Sequence, residues 1–459
     1  MKYFFKDIFY KGAFQKNLLV ETDAAGKILA TSFSNACPAD ATAPAGIFLP
    51  GFANGHSHAF QYAMAGLAEH VGRSITDNFW TWRQTMYQLA RAMTPETLLS
   101  IATELYANMV AAGITSVAEF HYIHHGQSGA PYKDASAMAD ALAEAATRAG
   151  IQLCLLPVYY RLGDFGKQAS PEQNRFVFKN VHEYQKYVSD LRSQYENNPQ
   201  ITVGSGLHSL RAASQEEARE ILTSDAHSGP IHIHISEQVR EVESCMASWG
   251  ARPVEWLCHN IDLTNRHNLV HATHLTTTEC ESLATSKARV VICPSTEGNL
   301  GDGFFPLHAY HAAGGDFCVG TDSHVGLCIP EELRWLDYGQ RLKRQQRNPL
   351  CLKPGEDSGA ILYEKTLLAG RKAIGIGEPY QIGQPLEGIL LRKEAPLLAN
   401  RSPQRWLSTF VFTSGAPLIN KVMNNGKFLV ENGLHLDANR IASAASQALK
   451  ELVTSFEGG

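Results

Sequence analysis

Eight short apolar runs, at residues 46–52, 116–120, 152–158, 201–207, 230–235, 268–272, 289–293 and 316–320, alternate with segments long enough to hold a helix. Helical spacing is clearest at 95–112, 135–148, 214–224, 329–344 and 360–374. This alternation restricts the fold severely, because a parallel neighbour is reached only through a crossover, usually a helix on the sheet's face. Eight such units in one run predict an α/β chain closed into a (β/α)8, TIM-like barrel.

The two ends follow another rule. Residues 1–48 alternate in period two around the turn Ala24-Ala25-Gly26, and a second set of strands recurs between Leu386 and Asn432. Asn425-Gly426 is placed as a type I′ hairpin turn between two β-rich segments. The expected organisation is a small flanking β-sandwich built from both termini (1–48 and 383–436), a barrel over 49–382, and a C-terminal helix over 437–459.

Composition removes several classes of function. A net charge of -5 over 459 residues, with no basic run, gives no electrostatic footprint for nucleic acid. Charge interrupts the first residues too early for a signal peptide, and no apolar stretch spans a bilayer, so a cytoplasmic protein with no membrane partner is expected. The nine cysteines include no Cys-x-x-Cys pair, and several lie in apolar runs, where a thiol acts as a small hydrophobe.

Histidine is more informative. With 19 in the chain, about one His-x-His pair is expected by chance, so His56/His58 and His232/His234 carry weight only through position. Each follows or ends a predicted strand, as do His271 and Asp322, and a parallel barrel collects its chemistry at the C-terminal strand ends. Period-two spacing directs His56 and His58 to one side. Residues 232 and 234 are separated by roughly 6.5 Å of strand, too far for both to reach one ion. His234 is nearer the mouth and is the expected ligand, with His232 a hydrogen-bonded interior residue. His56, His58, His234 and Asp322 form a nitrogen-rich set suited to one Zn2+, with iron or another divalent ion also compatible. Binuclear members of this architecture usually need a bridging lysine after the fourth strand. Here that strand runs into Gly206-Leu207-His208-Ser209-Leu210-Arg211, so a single ion is expected.

Long segments resemble the amidohydrolase superfamily and, within it, the formimidoylglutamate deiminases of histidine degradation. They are 54–69 (NGHSHAFQYAMAGLAE), 79–83 (FWTWR), 118–125 (AEFHYIHH), 207–212 (LHSLRA), 232–238 (HIHISEQ), 269–274 (LVHATH), 295–304 (STEGNLGDGF) and 331–342 (EELRWLDYGQRL). The FWTWR and HSLR segments and Gln61 discriminate best. The resemblance implies zinc-dependent hydrolysis of the formimino C=N of N-formimino-L-glutamate to N-formyl-L-glutamate and ammonia. Asp322 would accept the proton of the attacking water, His271 would orient it and steady developing charge, and Glu237 would protonate nitrogen. A dicarboxylate substrate calls for fixed cations, which Arg211 and Arg83 supply. The resemblance adds Gln61, Tyr122 and His208 to the substrate pocket, and implies a homodimer. His124, His125, His274 and His324 are candidates for orienting ligands, His324 foremost.

Gly55, Tyr62 and the stretch Leu391-Arg392-Lys393-Glu394-Ala395-Pro396 depart from the family pattern without removing a ligand or catalytic group. Two rivals remain. A ring deaminase for a purine, pterin or triazine would need flat apolar walls in place of paired arginines, and a catalytically dead scaffold would have lost ligands.

Overall fold

A computed structural model describes residues 1–69, 77–224, 228–413 and 415–457. Its centre is the expected barrel. The strands are Phe52–Ser57, Ile114–His121, Gln152–Tyr159, the interrupted fourth (Ile201–Val203 and Ser205–Leu207), Ile231–Ile235, His267–His271, Arg289–Ile292 and Asp316–Val319. Neighbours pair in parallel in chain order. The predicted helices form on the connections, among them Pro95–Ala111, Ala137–Ala149, Gln215–Leu222, Ile329–Arg344 and Ser358–Ala373. The first and eighth strands meet through a parallel bridge between Ser57 and Asp322, flanked by His58 N–H donating to Asp322 O (3.1 Å) and Asp322 N–H donating to His56 O (3.0 Å). The barrel therefore closes at residues singled out for metal binding.

The first barrel strand lies later than expected. The apolar run at 46–52 is broken by Pro50, which has no N–H to donate, and by Gly51, whose N–H donates to Glu387 Oε2 (2.9 Å). Its first half, Ile47–Leu49, joins the flanking sheet, parallel to Lys2–Tyr10 and antiparallel to Gly388–Leu391. The barrel strand starts at Phe52 and carries His56 within it.

The flanking structure draws on both termini, as expected. It is one continuous eight-stranded sheet whose inward side chains share a core. Phe5 stacks on Phe48 at 4.1 Å within a cluster that includes Leu18, Val20, Ile28, Leu390 and Met423. Burying each large side chain there contributes about 1.5–3 kcal/mol. Asn425 and Gly426 both have positive φ (48° and 67°), the type I′ geometry, between strands Ile419–Asn424 and Lys427–Glu431. Helix Ala438–Glu457 buries Ile441, Ala445, Ala448 and Leu452, one stripe at helical spacing. Among the described residues no helix is long and apolar enough to cross a membrane.

A buried ion pair ties the sheet to the barrel floor. Arg371, on Ser358–Ala373, pairs with Glu387, whose other oxygen accepts from Gly51 N and Thr115 Oγ1 (2.7 Å).

Candidate active site

Strand alternation places the His56 and His58 rings together and turns Ser57 the opposite way, where its hydroxyl donates to Glu119 Oε2 (2.6 Å). The fifth strand brings His234 to the same point. His56 Nε2 lies 3.1 Å from His58 Nε2 and 2.9 Å from His234 Nε2. Asp322 Oδ1 is 3.3 Å from His58 Nε2 and 3.7 Å from His56 Nε2. Donors held 2.0–2.1 Å from a shared centre lie about 3–3.5 Å apart, so the three imidazoles are grouped as a coordination shell requires, with Asp322 beside two of them. His58 Nδ1 donates to Phe120 O (2.9 Å), leaving Nε2 as a lone-pair donor toward the cluster. Among the described residues His56 Nδ1 has no hydrogen-bond partner. Burial, with neighbouring imidazoles, keeps these rings neutral, His58 being lowered to about 3. Neutral imidazole is the form that ligates. His232, one strand period below His234, lies 2.8 Å from Ala373 O through Nε2.

Backbone strain concentrates at the same mouth. Ser236, His271, Ala272, Asp322 and His324 have φ between 48° and 70°, a region that costs most side chains about 1–3 kcal/mol and clusters at functional sites.

His271 ends the sixth strand. Its Nδ1 is 3.1 Å from Glu297 Oε1, and its Nε2 is 3.7 Å from Glu237 Oε1 and 3.6 Å from Asp322 Oδ2. Burial opposes its charging, but Glu237 and Glu297 outweigh burial and raise it to about 10. Burial also raises the Glu237 carboxyl, against the pull of His271. Asp302 is raised to about 9 by burial and by the nearby Glu237.

One cavity joins these groups to the predicted substrate residues. His58, His234, Glu237, His271 and Asp322 line its floor, with His56 buried beneath. Gln61, Tyr122 and His208 form its wall, and Arg83 and Arg211 also face it. Gln61 Nε2 donates to the Tyr122 hydroxyl (3.0 Å), while its Oε1 is buried with no donor. His208, T-shaped against His234 at 5.0 Å and Tyr160 at 4.7 Å, is kept neutral by burial and Arg211. Arg211 sits in the turn Leu210–Ala212 after the fourth strand; burial opposes its charge, but Tyr160, Glu241, Tyr87 and Glu237 hold it. Arg83 lies on helix Phe79–Ala92, capped by Asn78, with its guanidinium 4.5 Å from the Trp80 ring. Among the described residues neither guanidinium has a carboxylate within 4.0 Å, and Arg83 Nη1 is buried without an acceptor.

Residues 47–349 match the sequence profile of the amidohydrolase family. The chain belongs to the amidohydrolase family. A formimidoylglutamate deiminase from Pseudomonas aeruginosa is 41% identical over 410 residues, covering 89% of this chain and 90% of that protein. The crystal structure of an amidohydrolase from Brucella melitensis superposes with a TM-score of 0.92 at 37% identity, over 98% of this chain and 99% of that one. An adenosine deaminase from Xanthomonas campestris with bound zinc shares the fold, with a TM-score of 0.80 at 20% identity over 99% of this chain and 98% of that one.

Several site residues of this amidohydrolase carried no role in the sequence reading. Glu297 accepts from His271 Nδ1 and from Cys293 N (2.8 Å), fixing the ring. Glu119, raised to about 7 by burial, braces the His-Ser-His segment through Ser57 Oγ, Ala59 N (2.6 Å) and Tyr106 Oη (3.0 Å). The hints of Glu297 were its place four residues past the end of the seventh apolar run and within the 295–304 segment that carries the resemblance. His324 lies across the closing seam, 3.0 Å from Thr321 Oγ1 and 3.3 Å from Ser57 Oγ, one residue from a ligand candidate on either side. His124 and His125 bond the carbonyls of Val158 and Val177 and reach no candidate ligand. Of the departures from the family pattern, Gly55 has a local reason: a Cβ there would lie 2.9 Å from Cys318 Sγ and 3.0 Å from Val291 Cγ1, which already fill that space. Tyr62 accepts from Asn108 Nδ2 (3.2 Å) and packs edge-on to His324.

Proposed function

We propose that the protein hydrolyses N-formimino-L-glutamate to N-formyl-L-glutamate and ammonia, a step of histidine degradation. The observation that carries this reading is the pair of guanidinium groups that, among the described residues, have no carboxylate within 4.0 Å, in the cavity floored by His58, His234 and Asp322. A buried charge without a partner costs several kcal/mol, roughly what a carboxylate-bearing ligand returns on binding. The 41% identical deiminase relative supports the same substrate class.

A divalent ion, zinc in this reading, fits His56, His58 and His234, with Asp322 beside the first two, and would supply the Lewis acidity that makes water a nucleophile near neutral pH. The chain's own groups do the rest. Arg211 and Arg83 hold the two carboxylates and direct the formimino carbon to the floor of the cavity. Gln61 Oε1, a buried acceptor without a donor, takes a substrate N–H. Asp322 accepts the proton of the attacking water, and His271, oriented by Glu297, steadies the negative charge that develops. Glu237, a buried carboxyl that holds its proton more tightly than a free one, delivers it to the formimino nitrogen. The proton that Asp322 took from water follows, so that nitrogen leaves as ammonia, and the remaining hydroxyl proton returns to Glu237 as C=O forms. The departing ammonia and the new C=O balance the water consumed.

The reading includes a homodimer and a cytoplasmic location. Exposed Trp335, Tyr338 and Leu342 on one helix support the first, and nine free cysteines agree with a reducing compartment. Ammonia release from N-formimino-L-glutamate, beside guanine and S-adenosylhomocysteine at equal concentration, tests the substrate. Release from the first alone is expected. Release only from a ring compound would retain the metal cluster and discard the role given to the arginines.

A further inference from the structure

Two tyrosines in the cavity wall have not been given a function, and a buried glutamine behind them determines what they can do. Tyr87, on helix Phe79–Ala92, and Tyr160, just past the third strand, both line the cavity. Gln173, itself only 3% exposed, places its Nε2 3.0 Å from the Tyr87 hydroxyl and 2.5 Å from the Tyr160 hydroxyl. Its amide has one orientation available. Oε1 accepts from the backbone N–H of Ser170 (2.8 Å), a donor that cannot reverse, so the NH2 end must face the tyrosines.

The polarity then passes outward. An amide NH2 donates both hydrogens, so each phenolic oxygen is an acceptor toward Gln173 and keeps its own O–H for another partner. Among the described residues the one protein group beside Gln173 that bears on either O–H is the other hydroxyl. A bond from one hydroxyl to the other would still leave the second O–H free, so the pair presents at least one donor to the cavity. Both phenols lie close enough to Arg83 and Arg211 to interact electrostatically with each guanidinium. Arg83 also stacks over the Tyr87 ring at 5.4 Å. This end of the cavity is therefore lined with donors on fixed supports.

We propose that the hydroxyls of Tyr87 and Tyr160 bind one carboxylate of the substrate beside Arg83 and Arg211, and that Gln173, which touches no substrate, sets their donor direction. The inference rests on the deiminase reading and deepens it. The subsite suits a group that only accepts. A carboxylate satisfies every donor, whereas the corresponding carboxamide brings two N–H groups that find no acceptor and leaves its own donors buried and unpaired. Gln173 is thus a positioning residue for substrate selection, acting through two side chains that make the contact.

The test is steady-state ammonia release from N-formimino-L-glutamate by the zinc-loaded full-length protein and by Tyr87→Phe, Tyr160→Phe, the double variant and Gln173→Glu. The last keeps the size of the glutamine and its bond from Ser170 but offers only acceptors, which turns both O–H groups away from the cavity. The double variant and Gln173→Glu should raise KM by about 10-fold with kcat changed less than about threefold. Each single Tyr→Phe variant should raise KM by about threefold, so the result does not depend on the double variant folding. Zinc content and melting temperature should stay at wild-type values, and the wild-type preference for the dicarboxylate over its carboxamides should shrink. A KM unchanged in the double variant and in Gln173→Glu overturns the proposal, as does a fall in kcat at constant KM. No ammonia release from N-formimino-L-glutamate by the wild-type protein would instead overturn the deiminase reading, a failure visible before any variant is made.

Discussion

Arg371 and Arg211 are both buried guanidinium groups of the same barrel, at opposite faces, and the fold treats them in opposite ways. At the face where the strands begin, Arg371 is joined to Glu387, and that carboxylate is further satisfied by Gly51 N and Thr115 Oγ1. At the face where the strands end, Arg211 and its neighbour Arg83 have no carboxylate within 4.0 Å among the described residues. A buried cation paired with a carboxylate whose own oxygens are hydrogen-bonded belongs to the architecture. A buried cation held charged only by carboxylates at longer range keeps its hydrogen-bond donors for another molecule, and it marks where a ligand completes the structure.

The contrast breaks or sharpens under substitution. The largest effect is expected wholly at the open face: Asp322→Ala should lower kcat by about 10⁴-fold and reduce bound metal, with the protein still folded. Normal turnover in that variant, measured alongside its metal content, would remove Asp322 from the site. At the closed face, Arg371→Met should lower the unfolding free energy by about 3–5 kcal/mol while kcat/KM per folded molecule is unchanged. Denaturant titration and kinetics on the same preparation separate the two quantities, and a variant that lost activity but kept stability would invert the comparison. Arg211→Met should reduce kcat/KM by about 2–5 kcal/mol, mainly through KM, and change stability less than Arg371→Met does, because Arg211 is in no ion pair within 4.0 Å among the described residues. An unchanged kcat/KM would move carboxylate recognition elsewhere. The smallest effect is expected from His232→Gln, whose ring bonds Ala373 O away from the cluster. Metal analysis should find the wild-type equivalent, and loss of one ion would make His232 a ligand after all.

Legibility differed sharply between elements. The βα alternation and the clusters at the strand ends could be read directly, because periodicity and turn residues are properties of neighbours along the chain. The run at 46–52 could not be divided correctly, since Ile47–Leu49 belongs to the flanking sheet through partners at Asp7, Ile8 and 389–391. A short apolar run is compatible with either destination, and only the distant strand it meets selects one. The ligand candidates were visible as residue types at strand ends. Their supports, Glu297, Glu119 and Gln173, were not, because a glutamate or glutamine in a polar loop or a strand looks ordinary until it is buried against a particular donor or acceptor.

The amino-acid sequence by itself determined the class of fold, the mouth at which chemistry gathers and the kinds of side chain available there. All of these follow from local periodicity and from the rule that parallel strands end at a common face. The tertiary structure alone decided that the barrel closes through Ser57 and Asp322, that His271 is fixed by Glu297, and that among the described residues Arg83 and Arg211 have no carboxylate within 4.0 Å while Arg371 does. Those outcomes depend on which groups burial brings within hydrogen-bonding distance across hundreds of residues, and the energy of a buried charge or hydrogen bond is set by that final environment.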